Sequence, residues 1–349
     1  MAEAPRILVI TTMRDEGPNI LHWLAHCRGA GVTDFLVFTN DCADGSDALL
    51  DLLQAGGALT HVRNRVPEGK RPQWAALRAA RDHPLTAQAD WIAVLDCDEY
   101  LNLRAPHDTL QDMLAGLDAD AVALPWRLFG HNGHATRPET PPTEAFSRAI
   151  PDDALYPALS RFIKTLYRRR GPFKGPGVHR PKQEDGATPR WVDGSGRPLP
   201  EAVARNQGQI MLWGPPIAHD LVQLNHYSVR SAEEFLAKTR RGLPNHTDKP
   251  VDLTYWVERN FNTVRDDSIA RMAPRTAVEL AWLRDLPGVA AAEDACRHWH
   301  AEAFRLALAD PDAVKLYGRL LLAAGSRPPP PALAQKLVAL YQNAQAPRG

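Results

Sequence analysis

The 349-residue chain has few cysteines, no surplus of either charge and no long apolar run. Its four cysteines, Cys27, Cys42, Cys97 and Cys296, show neither metal-ligand nor redox spacing and fit unpaired thiols in a reducing compartment. Lys plus Arg and Asp plus Glu both number 41, so nothing global points to nucleic acid. No stretch reaches the roughly 18 apolar residues of a membrane-spanning helix. The opening MAEAPRILVITT holds too short an apolar run for a secretory signal, and Arg14, Asp15 and Glu16 follow soon after. A cytoplasmic protein is expected. Also missing are a Gly-x-Gly-x-x-Gly turn after the first apolar run and a phosphate-loop lysine motif, which argues against a dinucleotide-binding domain and against phosphate-loop enzymes.

What is present is a sizeable apolar fraction, 44%, enough for one large domain with an appendage or for two domains. Thirty prolines, mostly after residue 125, imply many irregular connections. The most informative stretch is WIAVLDCDEYL, Trp91 to Leu101. A short apolar run that stops abruptly reads as a buried strand. Three of the next four residues, Asp96, Asp98 and Glu99, are acids, which repel one another and resist desolvation. Asp96 and Asp98 stand two apart and can face one side of an extended end. That suits Mg²⁺ or Mn²⁺, which prefer oxygen ligands and share them with diphosphates. A solvated turn is the plainer alternative.

Along the chain, strands are expected at Arg6–Thr12, Phe35–Phe38, Leu59–Val62, Trp91–Leu95 and Ala121–Trp126. Helices fall between them: Asn19–Arg28 with Asn19 as N-cap, Ala48–Leu53, and Gln73–His83. This alternation predicts an α/β fold with a mostly parallel sheet flanked by helices. Ligands of such sheets bind outside the carboxyl ends of the strands. There the chain carries Arg14, Asp15 and Glu16, then Asn40, Asp41 and Asp44, then the acids from Asp96 to Glu99. Further on, Phe162–Tyr167 reads as a strand leading into the basic, glycine-containing RRRGPFKGPGVHRPK, either a solvated surface or an anion-facing loop. Gly194–Arg205 reads as an exposed loop and Leu221–Ser228 as a strand. Ser231 and Glu234 have capping-box spacing and should open a helix. From residue 246 the chain is expected to be mainly helical, with a break at Pro328–Pro331. The expected division is 1–245 and 246–349.

T-x-R-D-E-G-x-N after the first strand, N-D-x-x-D-G-S after the second, K-R-P-x-Q before a helix and D-x-D-E-Y-L after the fourth strand together resemble the GT-A glycosyltransferases, in particular bacterial family 2-like members related to family 92. The later NHYSVRSAEEFLAKTRRG is similar to their tail segment. The resemblance covers roughly residues 5 to 245. It implies a GT-A, Rossmann-like catalytic domain with a C-terminal helical appendage. It also implies a hexosyltransferase-type activity, with a nucleoside-diphosphate sugar, foremost a UDP-sugar, as donor, a divalent cation, and transfer with inversion. By the same resemblance, Thr11, Arg14 and Glu16 would line the nucleotide pocket, Asn40 and Asp41 would lie near the base, and Asp44 would hold the loop or the ribose. Lys70 would contact the donor with Gln73 in support. Asp96 would be shared between ribose and metal, Asp98 would bind the metal directly, and Glu99 would stand behind it or face the sugar. His226 is the candidate for a further metal ligand, with Lys238, Arg240 and Arg241 to neutralise the diphosphate.

The family's Glu-Asp pair for the base has no clear match in this chain. Glu144, His179, Asp185 and Asp220 are the candidates for deprotonating the acceptor. Trp126, Phe129 and Gly130 could wall the acceptor or belong to the core. His131, His134, His298 and His300 read as structural or surface residues. The acceptor is expected to be a glycan, a lipid or a protein. The helical tail is expected to pack on the catalytic domain, with peripheral contact at the inner face of a membrane or homo-oligomer formation as its other uses. A sugar nucleotidyltransferase and a catalytically decayed nucleotide-sugar- or glycan-binding protein are the rival readings. The first normally carries a Gly-rich basic loop where this chain has TMRDEGPN, and the intact Asp96–Asp98 pair opposes the second.

Overall fold

The computed structural model describes residues 4–212, 218–241 and 251–345. The β-branched run ILVITTM forms β1 (Ile7–Met13), buried at every position, as a strand covered on both faces must be. Helix α1 (Gly17–Gly29) starts two residues earlier than its periodicity suggests. Pro18 suits a first helical turn, and the Asn19 amide donates to the Glu16 carbonyl at 2.8 Å. Asn19 is therefore inside the helix, not its cap. There follow β2 (Asp34–Thr39), α2 (Ser46–Ala55), β3 (Thr60–Arg63), α3 (Pro72–Arg81), α4 (Pro84–Gln88) and β4 (Trp91–Val94).

Glu99–Leu103 is a further strand, β5, with no counterpart in the sequence reading, because an acid heads it. Next come α5 (Leu110–Ala115), β6 (Ala121–Leu128), α6 (Pro142–Ala145), β7 (Arg148–Ala149), β8 (Ile163–Arg168), β9 (Phe173–Gly175), β10 (Lys182–Gln183) and β11 (Trp191–Val192). The expected loop at Gly194–Arg205 instead contains α7 (Glu201–Arg205), which buries Val203 and Ala204. The remaining elements are β12 (Val222–His226), α8 (Ala232–Arg241), α9 (Leu253–Val257), β13 (Val264–Arg265), α10 (Ala273–Asp285), α11 (Val289–Ala307), α12 (Pro311–Leu322) and α13 (Pro331–Gln345). The capping box is present: Ser231 Oγ lies 2.7 Å from Glu234 Oε2 and accepts from the Glu234 amide.

The main sheet runs β3-β2-β1-β4-β8-β6-β12-β5, with β11 added on β6. β3, β2, β1 and β4 pair in parallel, as do β6 and β12. β8 is antiparallel to β4 and β6, and β5 to β12. This is a mixed, mostly parallel α/β sheet. The carboxyl ends of β1, β2, β3, β4, β6 and β12 share one edge, and β5 and β8 begin there.

The larger core includes Trp23 of α1, Leu49 of α2, Leu283 of α10 and Cys296 of α11. The opposite face packs Ala76 and Leu77 of α3 on Leu8 and Ile10. Helices α10 and α11 thus share the main core. Among the described residues no helix is long and apolar enough to cross a membrane.

Asp44 secures α11 against the functional edge. Its carboxylate accepts from the Gly17 amide at 2.9 Å, the Ser46 amide at 2.8 Å and His300 Nε2 of α11 at 2.9 Å. A Cβ on Gly17 would stand 2.5 Å from Cys296 Sγ, so the close approach of α11 requires glycine there. Burial alone would raise the Asp44 carboxyl, but these hydrogen bonds outweigh it and hold the group below its ordinary value. A carboxylate with a depressed folded pKa contributes stability above its unfolded pKa, near 3.9, and loses it as pH falls through the folded value. Asp44→Asn should therefore lose about 1.5–3 kcal/mol in urea denaturation at neutral pH. The gap from wild type should close below about pH 4. A negligible loss at neutral pH, or a gap that widens in acid, would refute the role given to Asp44.

Candidate active site

The site is built where the strands end. β4 delivers Asp96, Cys97 and Asp98, and β5 opens with Glu99. β12 pairs with β5 so that His226 stands opposite Glu99. On its other side β12 pairs with β6, with His226 opposite Leu128. His226 Nε2 lies 3.4 Å from Asp98 Oδ1. Two residues 128 positions apart in the chain meet because β12 and the β4–β5 turn end at the same edge. Lys238, one helical stretch further on in α8, lies 3.1 Å from Asp98 Oδ2 and donates to the Ser228 carbonyl at 2.9 Å. Arg230 bonds Glu16 at 3.1 Å and the Cys97 carbonyl at 3.2 Å, tying the loops after β1, β4 and β12 together.

Each group bears the electrostatic mark of this crowding. Burial would raise Asp98, but Lys238, His226 and Arg230 pull it well below the usual carboxylate range. Burial lowers His226, against the opposing pull of Asp98. Glu99, wholly buried, is pushed upward by desolvation. Its carboxylate accepts from the Asp96 amide at 2.8 Å and from Trp126 Nε1 at 2.5 Å. Lys164 of β8, wholly buried, lies 3.0 Å from Asp96 and 3.3 Å from Glu99. Gln73 donates to Asp96 at 3.3 Å.

Asp98, His226 and Lys238 are therefore brought together, and Asp96 and Gln73 sit beside them. Thr11 lies buried at the end of β1 with its hydroxyl unpartnered among the described residues. Arg14 is half-buried 3.7 Å from Asp15, and Glu16 is buried against Arg230. Asn40 is half-buried, while Asp41 and Lys70 are exposed on the rim. Asp44 holds the loop, as described. The side chain of Arg240 lies outside the described residues.

The four candidate bases separate. His179 joins the site: its ring is 5.5 Å from that of Trp126, which is 4.3 Å from that of His226. Glu144 is exposed in the short α6. Asp185 is exposed and paired with Lys174 at 3.1 Å. Asp220 is exposed before the start of β12, the opposite end from His226. These three carboxylates are exposed, whereas Asp98 and Glu99 are buried. The expected wall of Trp126, Phe129 and Gly130 also divides. Phe129 is core, and a Cβ on Gly130 would meet the Phe261 carbonyl at 2.5 Å. Trp126 alone stands in the site. His300, expected to be structural or surface, reaches Asp44.

Lys164 and Arg230 were given no role by the sequence reading. A lone lysine inside the buried run FIKTLY was the available signal, since lysine is almost never buried unpaired. Arg230 carried none beyond its place in the NHYSVRS segment.

Among the described residues, no three His, Cys, Asp or Glu side chains cluster as a complete metal cage. Asp98 and His226 do fit a cation that takes its remaining ligands from a substrate diphosphate, as Mg²⁺ and Mn²⁺ sites commonly do. Asp96 is engaged by Lys164 and Gln73.

No family model matches the chain, and no curated protein matches it. Among solved structures, residues 1–349 of S. aureus TarS align over 98% of this chain and 93% of that one, at 12% identity and TM-score 0.35. A second S. aureus TarS structure aligns over 47% of this chain and 28% of its own, at 16% identity and TM-score 0.29. A Bacillus anthracis protein assigned as a glucose-1-phosphate thymidylyltransferase, bound to sucrose, aligns over 47% and 72%, at 13% identity and TM-score 0.27. Likenesses this distant leave function to be read from the side chains.

Lys164→Met would leave the wholly buried Glu99, as well as the half-buried Asp96, without an ammonium partner. Breaking a buried pair by removing one partner costs about 3–5 kcal/mol, and a loss of that size is expected in chemical denaturation. A loss below about 1 kcal/mol would mean that the cluster does not depend on this cation.

Proposed function

We propose that the chain is a metal-dependent glycosyltransferase of GT-A type, transferring a sugar from a nucleoside-diphosphate sugar, foremost a UDP-sugar, to an acceptor hydroxyl with inversion. The observation that carries this reading is the meeting of Asp98 with His226 and Lys238 at the edge where the parallel strands of a mostly parallel sheet end, where ligands of such sheets bind. Asp98 and His226 would hold the divalent cation, which when bound supplies charge neutralisation for a departing diphosphate. Lys238, freed from Asp98 on loading, would give its charge to the same oxygens. Thr11, Arg14 and Glu16 would flank the nucleotide, with Asn40 and Asp41 towards the base and Lys70 at the rim. Gln73 and Asp96 would face the ribose.

His179 is the base this arrangement favours. Its Nδ1 lies 3.0 Å from the Ile163 carbonyl. A carbonyl only accepts, so Nδ1 carries the proton and Nε2 keeps a lone pair. Burial, followed by Lys164, pulls the group down to about 4, leaving it neutral at pH 7. We place the enzyme in the cytoplasm, in keeping with its four cysteines, which show neither metal-ligand nor redox spacing.

The test is hydrolysis and transfer with a panel of UDP-, GDP- and CMP-sugars in the presence of Mn²⁺ or Mg²⁺. Asp98→Ala should lower turnover by about 100- to 1,000-fold, and both Asp98→Ala and His226→Ala should weaken Mn²⁺ binding in calorimetry. The reading fails if the wild type turns over no donor in a metal-dependent way, or if Asp98→Ala matches it.

A further inference from the structure

The exposed apolar surface of this protein is unevenly spread. Of the eleven large apolar side chains that stand exposed among the described residues, only Trp74 precedes Val257. Five of the eleven, Val314, Leu321, Leu322, Leu333 and Leu340, belong to α12 and α13. Single apolar residues on a surface need no explanation, but a concentration of them marks a contact. We propose that the exposed faces of α12 and α13 form a docking surface for an anionic lipid bilayer. This surface is separate from the candidate active site and does not depend on its chemistry.

The helical period sorts the side chains of α12 onto two faces. Ala313 and Leu320 are buried and Leu316 and Tyr317 half-buried, at the spacing i, i+3, i+4 and i+7 of one face. That face packs inward. Leu320 shares an apolar cluster with Phe235 of α8 and Trp256 of α9, and the Tyr317 hydroxyl donates to the Ala135 carbonyl at 3.2 Å. Val314, Gly318, Leu321 and Leu322 follow the spacing i, i+4, i+7 and i+8, a second stripe turned away from that contact. Leu322 is 87% exposed. In α13, Ala334 is buried, while Leu333 and Leu340, seven residues apart on another face, are 49% and 56% exposed. Helices with an uncovered leucine stripe bordered by cations lie in the plane of a membrane interface. Such a position fits these helices, since none among the described residues is long and apolar enough to cross.

Charge selects the partner. The whole chain balances 41 cations against 41 acids, yet after Asp312 the sequence holds Lys315, Arg319, Arg327, Lys336 and Arg348 and no Asp or Glu. Lys315 is paired with Asp312 at 2.9 Å. Arg319, Arg327 and Lys336 are exposed and meet no carboxylate among the described residues. Lys315 and Arg319, four apart, border the stripe of α12 beside Leu322. Lys336, three after Leu333 and four before Leu340, borders that of α13. Long basic side chains lay their methylenes on apolar surface and carry their charge to lipid phosphates. A second copy of the chain, related by a two-fold axis, would instead set this positive face against itself. The anchoring of α12 on α8 also gives the surface a fixed relation to the functional edge, because α8 carries Lys238.

The experiment is co-sedimentation of the full chain with vesicles of phosphatidylcholine alone and of phosphatidylcholine mixed with phosphatidylglycerol, at low salt and in about 0.5 M NaCl. The wild type should bind the anionic vesicles at least about fivefold more strongly than the neutral ones, and salt should remove most of that difference. Leu322→Glu combined with Leu340→Glu should weaken binding about tenfold or more. Arg319→Gln combined with Lys336→Gln should weaken it about fivefold or more, and on the anionic vesicles only. All four positions are exposed, so thermal unfolding midpoints should stay at the wild-type value. The docking surface is overturned if anionic vesicles do not bind the wild type, if neutral vesicles bind it equally well, or if the folded leucine variant binds like the wild type. It is also overturned if sedimentation velocity shows a dimer that the leucine substitutions dissociate, because a second copy then covers this face.

Discussion

The organisation of this protein depends on one electrostatic constraint. Asp98, Glu99 and Glu16 are buried at a single sheet edge, with Asp96 half-buried beside them. Buried carboxylates are stable only when cations or hydrogen-bond donors meet them. Lys164 meets Asp96 and Glu99, Lys238 and His226 meet Asp98, and Arg230 meets Glu16. Each partner comes from a different element, so the loops after β1, β4 and β12, together with β8 and α8, are held in register by the same charges. The proposed divalent cation and diphosphate would bind at this edge. Lys238 meets the Asp98 carboxylate there.

The second organising feature is mechanical. Asp44 is bound by the start of α1, the start of α2 and His300 of α11. Through it, a helix nearly 260 residues away in sequence becomes a wall of the active-site cavity. The C-terminal helices α10 and α11 pack into the main core, so the shape of the cavity depends on both parts of the chain.

Much of the fold was legible because its signals are local. Continuous apolar runs mark β1 and β2, alternation with helical periods marks the parallel sheet, and the Ser231–Glu234 spacing marks the start of α8. β5 was not legible, since Glu99 at its head reads as loop until a buried lysine and an indole are there to receive it. The acidic pair could be nominated from its strand end, and His226 and Lys238 from the family resemblance of the segment that carries them. The base could not be nominated in the same way. Glu144, Asp185 and Asp220 have the right chemistry, and nothing in their neighbours along the chain distinguishes an exposed carboxylate from one facing a substrate.

The sequence by itself determined the α/β class, the edge at which the chemistry collects and the acids that define it, because strand period and strand ends are written in consecutive residues. Only the tertiary structure decided which cations answer those acids, that His179 stands by Trp126 while Glu144, Asp185 and Asp220 are exposed, and that Trp299 and His300 line the cavity beside Asp98. Those are contacts between segments separated by tens to hundreds of residues, set by strand order and helix packing. Their side chains look ordinary until the sheet brings them together.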